Sequence, residues 1–530
     1  MGGCSRRQFI SKAGGLALAS AGLGAACRAL APGASAQAVA SPDGERLNVL
    51  LLLTDDQGAH LGCLGTRGIA TPAADALAER GVLFRRAYAT CASCSPARSS
   101  ILTGMHPHSN GHWRNTHAPV LSAPDEDFGP DSRYGDIEKV GVHEDIPTLV
   151  EILNGQGYVT GITQKFHLSP PWKYPFMQRF VASSAPRSHR AAAEAFLEGC
   201  GDKPFFLMAN IGNTHRPFAS HIVDIEAPRV DPQEIDVPGN LPDTPLLRED
   251  LARYLDTVQC ADACAGAVLE ALRESGRYER TLIIFTSDQG YCYHRAKATA
   301  YDMGIHVPLI VSGPGVRQDV TTGKLASHVD LVPTILDYLN LPIPATVQGR
   351  TLRPLLEGGD VSSWRRYVFA EHNAHGPNPL EYYPVRSVFG GRLHYLRNLM
   401  PERRWDGDPV SLLDAAQMPP EVGFAGPADA FPGGPWDNHS YEATVLARDE
   451  FPAQYELLAG IFKRPAEELY DLHDDPYETD DVVAEARYAA HLERLRAALD
   501  DWMEQTSDPG LALRTIPRRT GNEGPRRRRG

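Results

Sequence analysis

Cys94-Ser95-Pro96-Ala97-Arg98, running on into Ile101-Leu102-Thr103-Gly104, sets a thiol, a turn-forming proline and a guanidinium close together. Proline suits the first turn of a helix, where its missing N–H is not needed. Cys94 is therefore expected beside a helix N-terminus, where free N–H groups favour anions and lower a thiol pKa. Arg98, one turn on, can point back at the same spot and clamp an oxyanion. A buried structural cysteine fits the same residues. Asp55-Asp56 and Asp288-Gln289 each close an apolar run. Adjacent carboxylates repel and need a hard cation or solvent to offset them. If the two ends converge they form an all-oxygen cage suited to Ca²⁺ or Mg²⁺ rather than zinc. If they do not, each is a solvated turn.

Such groups need a scaffold. Asn48 to Thr54 is a continuous apolar run, as in a strand buried on both faces of a parallel sheet, and Thr281 to Ser287 reads as another buried strand. Further strands are read at 158–163, 205–210 and 307–312. Helices are read from Thr71 to Gly81, Ile146 to Asn154, Leu247 to Glu274 and Val329 to Tyr338. The alternation predicts a doubly wound α/β domain whose ligands sit outside the carboxyl ends of the strands. The expected organisation is a catalytic α/β domain over 45–375 and a smaller α+β domain over 376–510. The latter ends with Glu468-Leu469-Tyr470-Asp471-Leu472 and a helix near 484–506, and a basic, disordered tail follows at 511–530.

A formal net charge of -14 over 530 residues argues against a nucleic-acid partner, so an anionic substrate needs a local basic pocket. Residues 1–38 read as a twin-arginine signal: Ser5-Arg6-Arg7-Gln8-Phe9 with Lys12, an Ala/Gly/Leu segment, then Ala36-Gln37-Ala38 as cleavage site. The apolar segment is too short for a membrane span. The mature chain is expected to leave through the Tat machinery, without stable membrane insertion, into the periplasm or medium. Seven cysteines remain after the signal, an odd number that leaves at least one thiol free.

Cys94-x-Pro96-x-Arg98 with Leu102-Thr103-Gly104 resembles the signature of the type I sulfatases. The resemblance implies an alkaline-phosphatase-like sulfatase fold, with a large mostly parallel sheet flanked by helices. It implies conversion of Cys94 to formylglycine by a formylglycine-generating enzyme, the hydrated aldehyde being the nucleophile. Ala97 stands where the family usually has serine. It also implies Ca²⁺, in preference to Mg²⁺, held by Asp55, Asp56, the converted Cys94, Asp288 and Gln289, the last replacing Asn or His. Lys165-Phe166-His167 aligns with the family's Lys-x-His, and Lys297 with its sulfate-contacting lysine. His215 aligns with its Pro-His-x-Pro loop, with Thr214 in place of the first proline. The implied roles are Arg98 and Lys165 on the formylglycine, Lys297 on the sulfate, His215 as general acid and His167 as base. In Tyr301-Asp302-Met303-Gly304-Ile305-His306-Val307-Pro308, Asp302 and His306 replace the family's Glu and Arg.

Tyr383-Pro384-Val385-Arg386-Ser387-Val388 is similar to the sulfamidase-like branch. With Glu371 to His375 it is expected to bring His372, His375 and Arg386 to a substrate sugar. The implied activity is hydrolysis of a sulfated carbohydrate, first of all a glucosamine N-sulfate. The alternatives are an O-sulfatase, a phosphoester or phosphonate hydrolase on the same fold, or a carbohydrate-binding protein with an unmodified Cys94. The oligomeric state, a homodimer included, stays open.

Overall fold

Asn48–Thr54, buried along its whole length, forms strand β1 at the centre of a nine-stranded sheet in the computed structural model. The described residues are 46–116, 140–376, 382–403 and 439–515. The expected export signal and most of the basic tail lie outside them. In chain order the other strands are β2 (Gly81–Tyr88), β3 (Val159–Thr163), β4 (Gln178–Phe180), β5 (Phe205–Ile211), β6 (Thr281–Ser287), β7 (His306–Ser312), β8 (Val320–Thr322) and β9 (Ala326–Ser327). A second sheet holds β10 (Val368–His372), β11 (Val385–Phe389), β12 (Leu393–Asn398) and β13 (Glu467–Asp471).

The large sheet runs β4-β3-β5-β1-β6-β7-β2-β8, with β9 also on β2. The pairings are parallel except around β7, which is antiparallel to both β6 and β2. Because β1 alternates, Val49, Leu51 and Leu53 enter one core and Leu50 and Leu52 the other. Helices Cys94–Thr103, Leu149–Gly155 and Leu331–Tyr338 cover the first face, and Pro72–Glu79, Pro186–Gly199 and Pro245–Glu274 the second. Leu52→Ala should cost about 2–5 kcal/mol in chemical denaturation, since a fully buried side chain leaves a cavity that a sheet cannot collapse into.

Local chemistry moves several boundaries. Thr148 and Glu151 form a reciprocal capping box, so the helix expected from Ile146 starts at Leu149. Gly81 opens β2 instead of merely stopping the preceding helix. A Cβ there would lie 2.2 Å from the Val311 carbonyl oxygen, so the close strand pairing needs glycine. Strand β2 and helix Pro186–Gly199 were not anticipated.

The small sheet is antiparallel and packs one face on helix Ala489–Gln505. Its first strand, β10, precedes the boundary expected at 375, and His372 pairs with Val385 across that boundary. Residues Gly510–Thr515 form a short 3-10 helix with Leu513 buried, so the expected disorder does not begin at 511. All seven cysteines among the described residues are free. Among the described residues no helix is long and apolar enough to cross a membrane.

Candidate active site

β1 and β6 lie side by side with Thr54 opposite Ser287, so Asp55-Asp56 and Asp288-Gln289 leave the sheet together. The convergence expected from sequence is present. The Asp56 N–H donates to Asp288 Oδ1 (3.1 Å) and the Gln57 N–H to Ser287 Oγ (2.9 Å). Asp56 holds φ near 60° and His167 near 41°, left-handed values that surrounding contacts must enforce on non-glycine residues.

β2 leads by way of residues 89–93 into helix Cys94–Thr103, whose first residue is Cys94. Gln289 Nε2 donates to Asp56 Oδ1 (2.6 Å) and to Cys94 Sγ (3.3 Å). The thiol itself faces Asp56 Oδ1 at 3.7 Å. The lowered thiol pKa expected from the helix N-terminus is not found. Burial pushes the Cys94 thiol well up, and the nearby Lys165 and Lys297 do not offset it. An unmodified Cys94 is thus a protonated thiol, not a ready nucleophile.

Three cations close the pocket. Lys165 Nζ donates to Asp55 Oδ2 (2.5 Å) and Lys297 Nζ to Asp56 Oδ2 (2.6 Å). Arg98 Nε donates to Asp288 Oδ2 (2.9 Å), and its Nη1 to Asn210 Oδ1 (2.8 Å). Arg98, fully buried, is therefore locked onto the acidic pair. Asn210 was missed in the sequence although it is a polar residue inside the apolar strand β5. Its amide also donates to the Lys165 carbonyl (2.7 Å), tying two cations to one strand.

The histidine tautomers follow from their partners. His167 Nε2 donates to the Thr116 carbonyl (2.9 Å), which leaves a buried lone pair on Nδ1 without a partner. His215 Nδ1 donates to the Arg216 carbonyl, and Lys297 Nζ stands 3.5 Å from the Nε2 lone pair. Burial and Lys297 lower His215 to about 4. Thr214, in place of the family's proline, donates its hydroxyl to the Asp55 carbonyl and so anchors the loop.

The three expected sugar contacts fare differently. His375 accepts from Asn115 Nδ2 at Nε2 (3.3 Å) and donates from Nδ1 to Ser93 Oγ (3.1 Å). Asn115 in turn accepts from the Ser95 N–H (2.9 Å), so His375 braces the start of the Cys94 helix. His372 is buried, with Nε2 unpartnered. Arg386 does not present itself to a ligand. It is wholly buried and donates to both oxygens of Asp508 and to Asn373 Oδ1 (2.8 Å), with Glu371 at 3.6 Å. Neither Asp508 nor Asn115 carries a local sequence signal; each acquires its role through a distant contact.

The residues fit a divalent cation. Asp55, Asp56 and Cys94 can each bring one ligand atom within 4.8 Å of the others. Asp55 Oδ1 and Gln289 Oε1 are buried without a hydrogen-bond partner. Burial and the neighbouring Asp55 push Asp288 up to about 7 despite Arg98. Spare oxygens and crowded like charge are what a hard cation satisfies. Gln289 meanwhile turns its amide nitrogen, not its oxygen, toward Asp56 and Cys94.

A family model described as Sulfatase matches residues 47–341. N-sulphoglucosamine sulphohydrolase of Homo sapiens is 30% identical over 500 residues, spanning 87% of this chain and 91% of its own length. Among solved structures, a 2-O GAG sulfatase superposes at TM-score 0.62 and 20% identity, over 89% of this chain and 94% of its own. A protein solved with its substrate D-glucosamine-2-N,6-O-disulfate superposes at TM-score 0.58 and 18% identity, over 88% of this chain and 99% of its own. These two likenesses show the shared fold, an alkaline-phosphatase-like one. The family model covers more than half of the chain and the human relative is matched over nearly all its length, so the pocket behind Cys94 is that of a hydrolase of sulfate esters or sulfamates, and the chain belongs to the sulfatase family.

Proposed function

We propose that the protein hydrolyses the N-sulfate of glucosamine in a sulfated glycan, with Cys94 converted to formylglycine and calcium in the acidic cage. The substrate class rests on the extended identity with the human N-sulfohydrolase. The observation that carries the chemistry is the burial of Cys94 against Asp56 and Gln289, with Lys165 and Lys297 on the flanking carboxylates.

Converted to a hydrated aldehyde, residue 94 would supply the nucleophilic oxygen that a protonated thiol lacks. A Ca²⁺ held by Asp55, Asp56, Asp288 and Gln289 would supply the positive charge that polarises a sulfuryl oxygen. The chain's own groups do the rest. Asp55, Asp56 and Asp288 balance Arg98, Lys165 and Lys297, so a bound divalent cation leaves the pocket net positive inside a chain of formal charge -14. Sulfuryl transfer spreads charge over peripheral oxygens, which the two ammoniums stabilise. His167 offers its free Nδ1 as base. Cleavage of the S–N bond requires a proton on the leaving amine, assigned here to His215, which first takes one up at Nε2 from the Lys297 ammonium and then passes it to the nitrogen. His215→Ala should therefore slow substrates with poor leaving groups about tenfold more than activated aryl sulfates, and equal losses would remove the acid role.

The twin-arginine motif supports export of the mature protein, and the free cysteines require no oxidising compartment. The test is sulfate release from glucosamine N-sulfate by protein made with a formylglycine-generating enzyme. Release from O-sulfated or phosphonate substrates alone would overturn the assignment. Chelation should lower the rate by at least about tenfold, with Ca²⁺ restoring it better than Mg²⁺.

A further inference from the structure

A cavity of about 480 Å³ opens where β2 and β7 meet the β11–β12 turn. An irregularity in β2 builds its rim. Phe84 pairs with Leu309 and Ala87 with Val307, so Arg85 and Arg86 together oppose Pro308. Proline has no N–H for the ladder, and the resulting bulge leaves both arginines exposed.

Side chains fasten this bulge. His306 Nε2 donates to the Arg85 carbonyl (3.0 Å), and Nδ1 faces Asp302 Oδ2 at 3.4 Å. A carbonyl can only accept, so Nε2 carries a proton, and the Asp302 carboxylate facing Nδ1 favours protonation there as well. Burial opposes that charge, but Asp302 outweighs it and raises the His306 pKa. Tyr88 stacks on His306 at 5.2 Å and meets Phe389 at 4.8 Å, forming a rigid floor. Arg392 on the far wall is paired with Asp471 and Asp474. Arg85 and Arg86 form no ion pair among the described residues, and with Asp302 facing His306 and Arg392 outnumbered by Asp471 and Asp474 their two guanidiniums leave only a small cationic excess.

The place is as telling as the charge. Thr286 pairs with Leu309 and Tyr88 with His306, so Tyr88 and His306 come level with the strand end that carries Asp288 and Gln289. The cavity thus lies on the catalytic edge of the sheet, two interstrand spacings or about 10 Å along from β6.

We propose that this cavity is a second recognition site, in which Arg85 and Arg86 bind a sulfate or carboxylate on a neighbouring sugar of the glycan being desulfated. The sugar identity rests on the proposed function, whereas the anion chemistry rests on the bulge. Asp302 and His306, which replace the family's Glu and Arg, are then positioning residues that hold the arginines in place.

The experiment compares the full-length protein with Arg85→Ala/Arg86→Ala and the charge-keeping Arg85→Lys/Arg86→Lys. Calorimetric titrations use a heparin-derived tetrasaccharide and, separately, sodium sulfate; kcat/KM is measured on glucosamine N-sulfate and on the tetrasaccharide. The alanine pair should weaken tetrasaccharide binding at least about tenfold and lower kcat/KM on it to match, mainly through KM. It should leave the monosaccharide rate within about twofold, and the lysine pair should recover most of the binding. Unchanged tetrasaccharide binding by the alanine pair would overturn the proposal. Sodium sulfate binding as tightly as the sugar would overturn the glycan assignment in favour of the free ion. The titrations need no turnover, so a wild type inactive on both sugars would refute the proposed function while the cavity is still decided.

Discussion

Cys94→Ala is expected to reduce turnover by about 10⁴-fold or more while moving the denaturation midpoint little. The mild stability effect follows from the size of the change, since a buried cysteine packs as a small hydrophobe. The large kinetic effect follows from the arrangement around it. Asp56 and Gln289 contact one sulfur, whose unmodified form stays protonated, and Lys165 and Lys297 sit on the flanking carboxylates. Fragmentation mass spectrometry of the tryptic peptide Ala87 to Arg98 supplies the complementary result. It must separate position 94 from Cys91, which lies in the same peptide. An aldehyde at 94 is expected; an intact thiol in active protein, or more than a few per cent of activity left in the variant, would place the nucleophile elsewhere.

Arg386→Ala should destabilise the fold by about 3–5 kcal/mol, because it strands Asp508 and Glu371 as buried charges without their guanidinium. Glu371 keeps only the His108 ring and the His108 N–H (2.7 and 2.6 Å). If Arg386 touched substrate, KM would rise with little loss of stability. The structure predicts the reverse, a lower urea midpoint with kcat/KM within about threefold at permissive temperature. Acid titration gives an independent reading. Burial alone would raise Asp508, but hydrogen bonds and charge from Arg386 lower it to about 2. A depressed carboxyl adds stability that is fully present above its unfolded value of about 4 and is lost as pH falls through its folded value. The wild type should therefore lose about 2 kcal/mol between pH 4 and 2 from this pair. The alanine variant should lack that component.

Much of the central sheet was legible because a strand buried on both faces is apolar along its middle, as Val49 to Leu53 and Leu282 to Phe285 are. The acidic strand ends were legible for the converse reason: paired carboxylates after such runs have few physical uses. β2 was harder to read, because Arg85 and Arg86 break its pattern and their bulge depends on Pro308 in another strand. Arg386 was misread for a similar reason, since its partner Asp508 lies 122 residues away and no local spacing reveals a buried pair. Asn210, Asn115 and Thr214 are ordinary polar residues in sequence. Their roles arise when the fold sets them against Arg98, Ser95 and Asp55.

The enclosure of Cys94 also sets an order of events. Its side chain is 2% exposed, in the first turn of a helix that is buried along its length. An enzyme needs several residues of accessible chain to act on a thiol, so the proposed conversion would have to precede closure of the sheet edge around it. On the proposed route the protein crosses the membrane already folded. Modification, folding and export then form a one-way sequence in which the first step competes with the second. Conditions that slow folding should raise the fraction of converted protein, and a faster-folding variant would carry more permanent thiol.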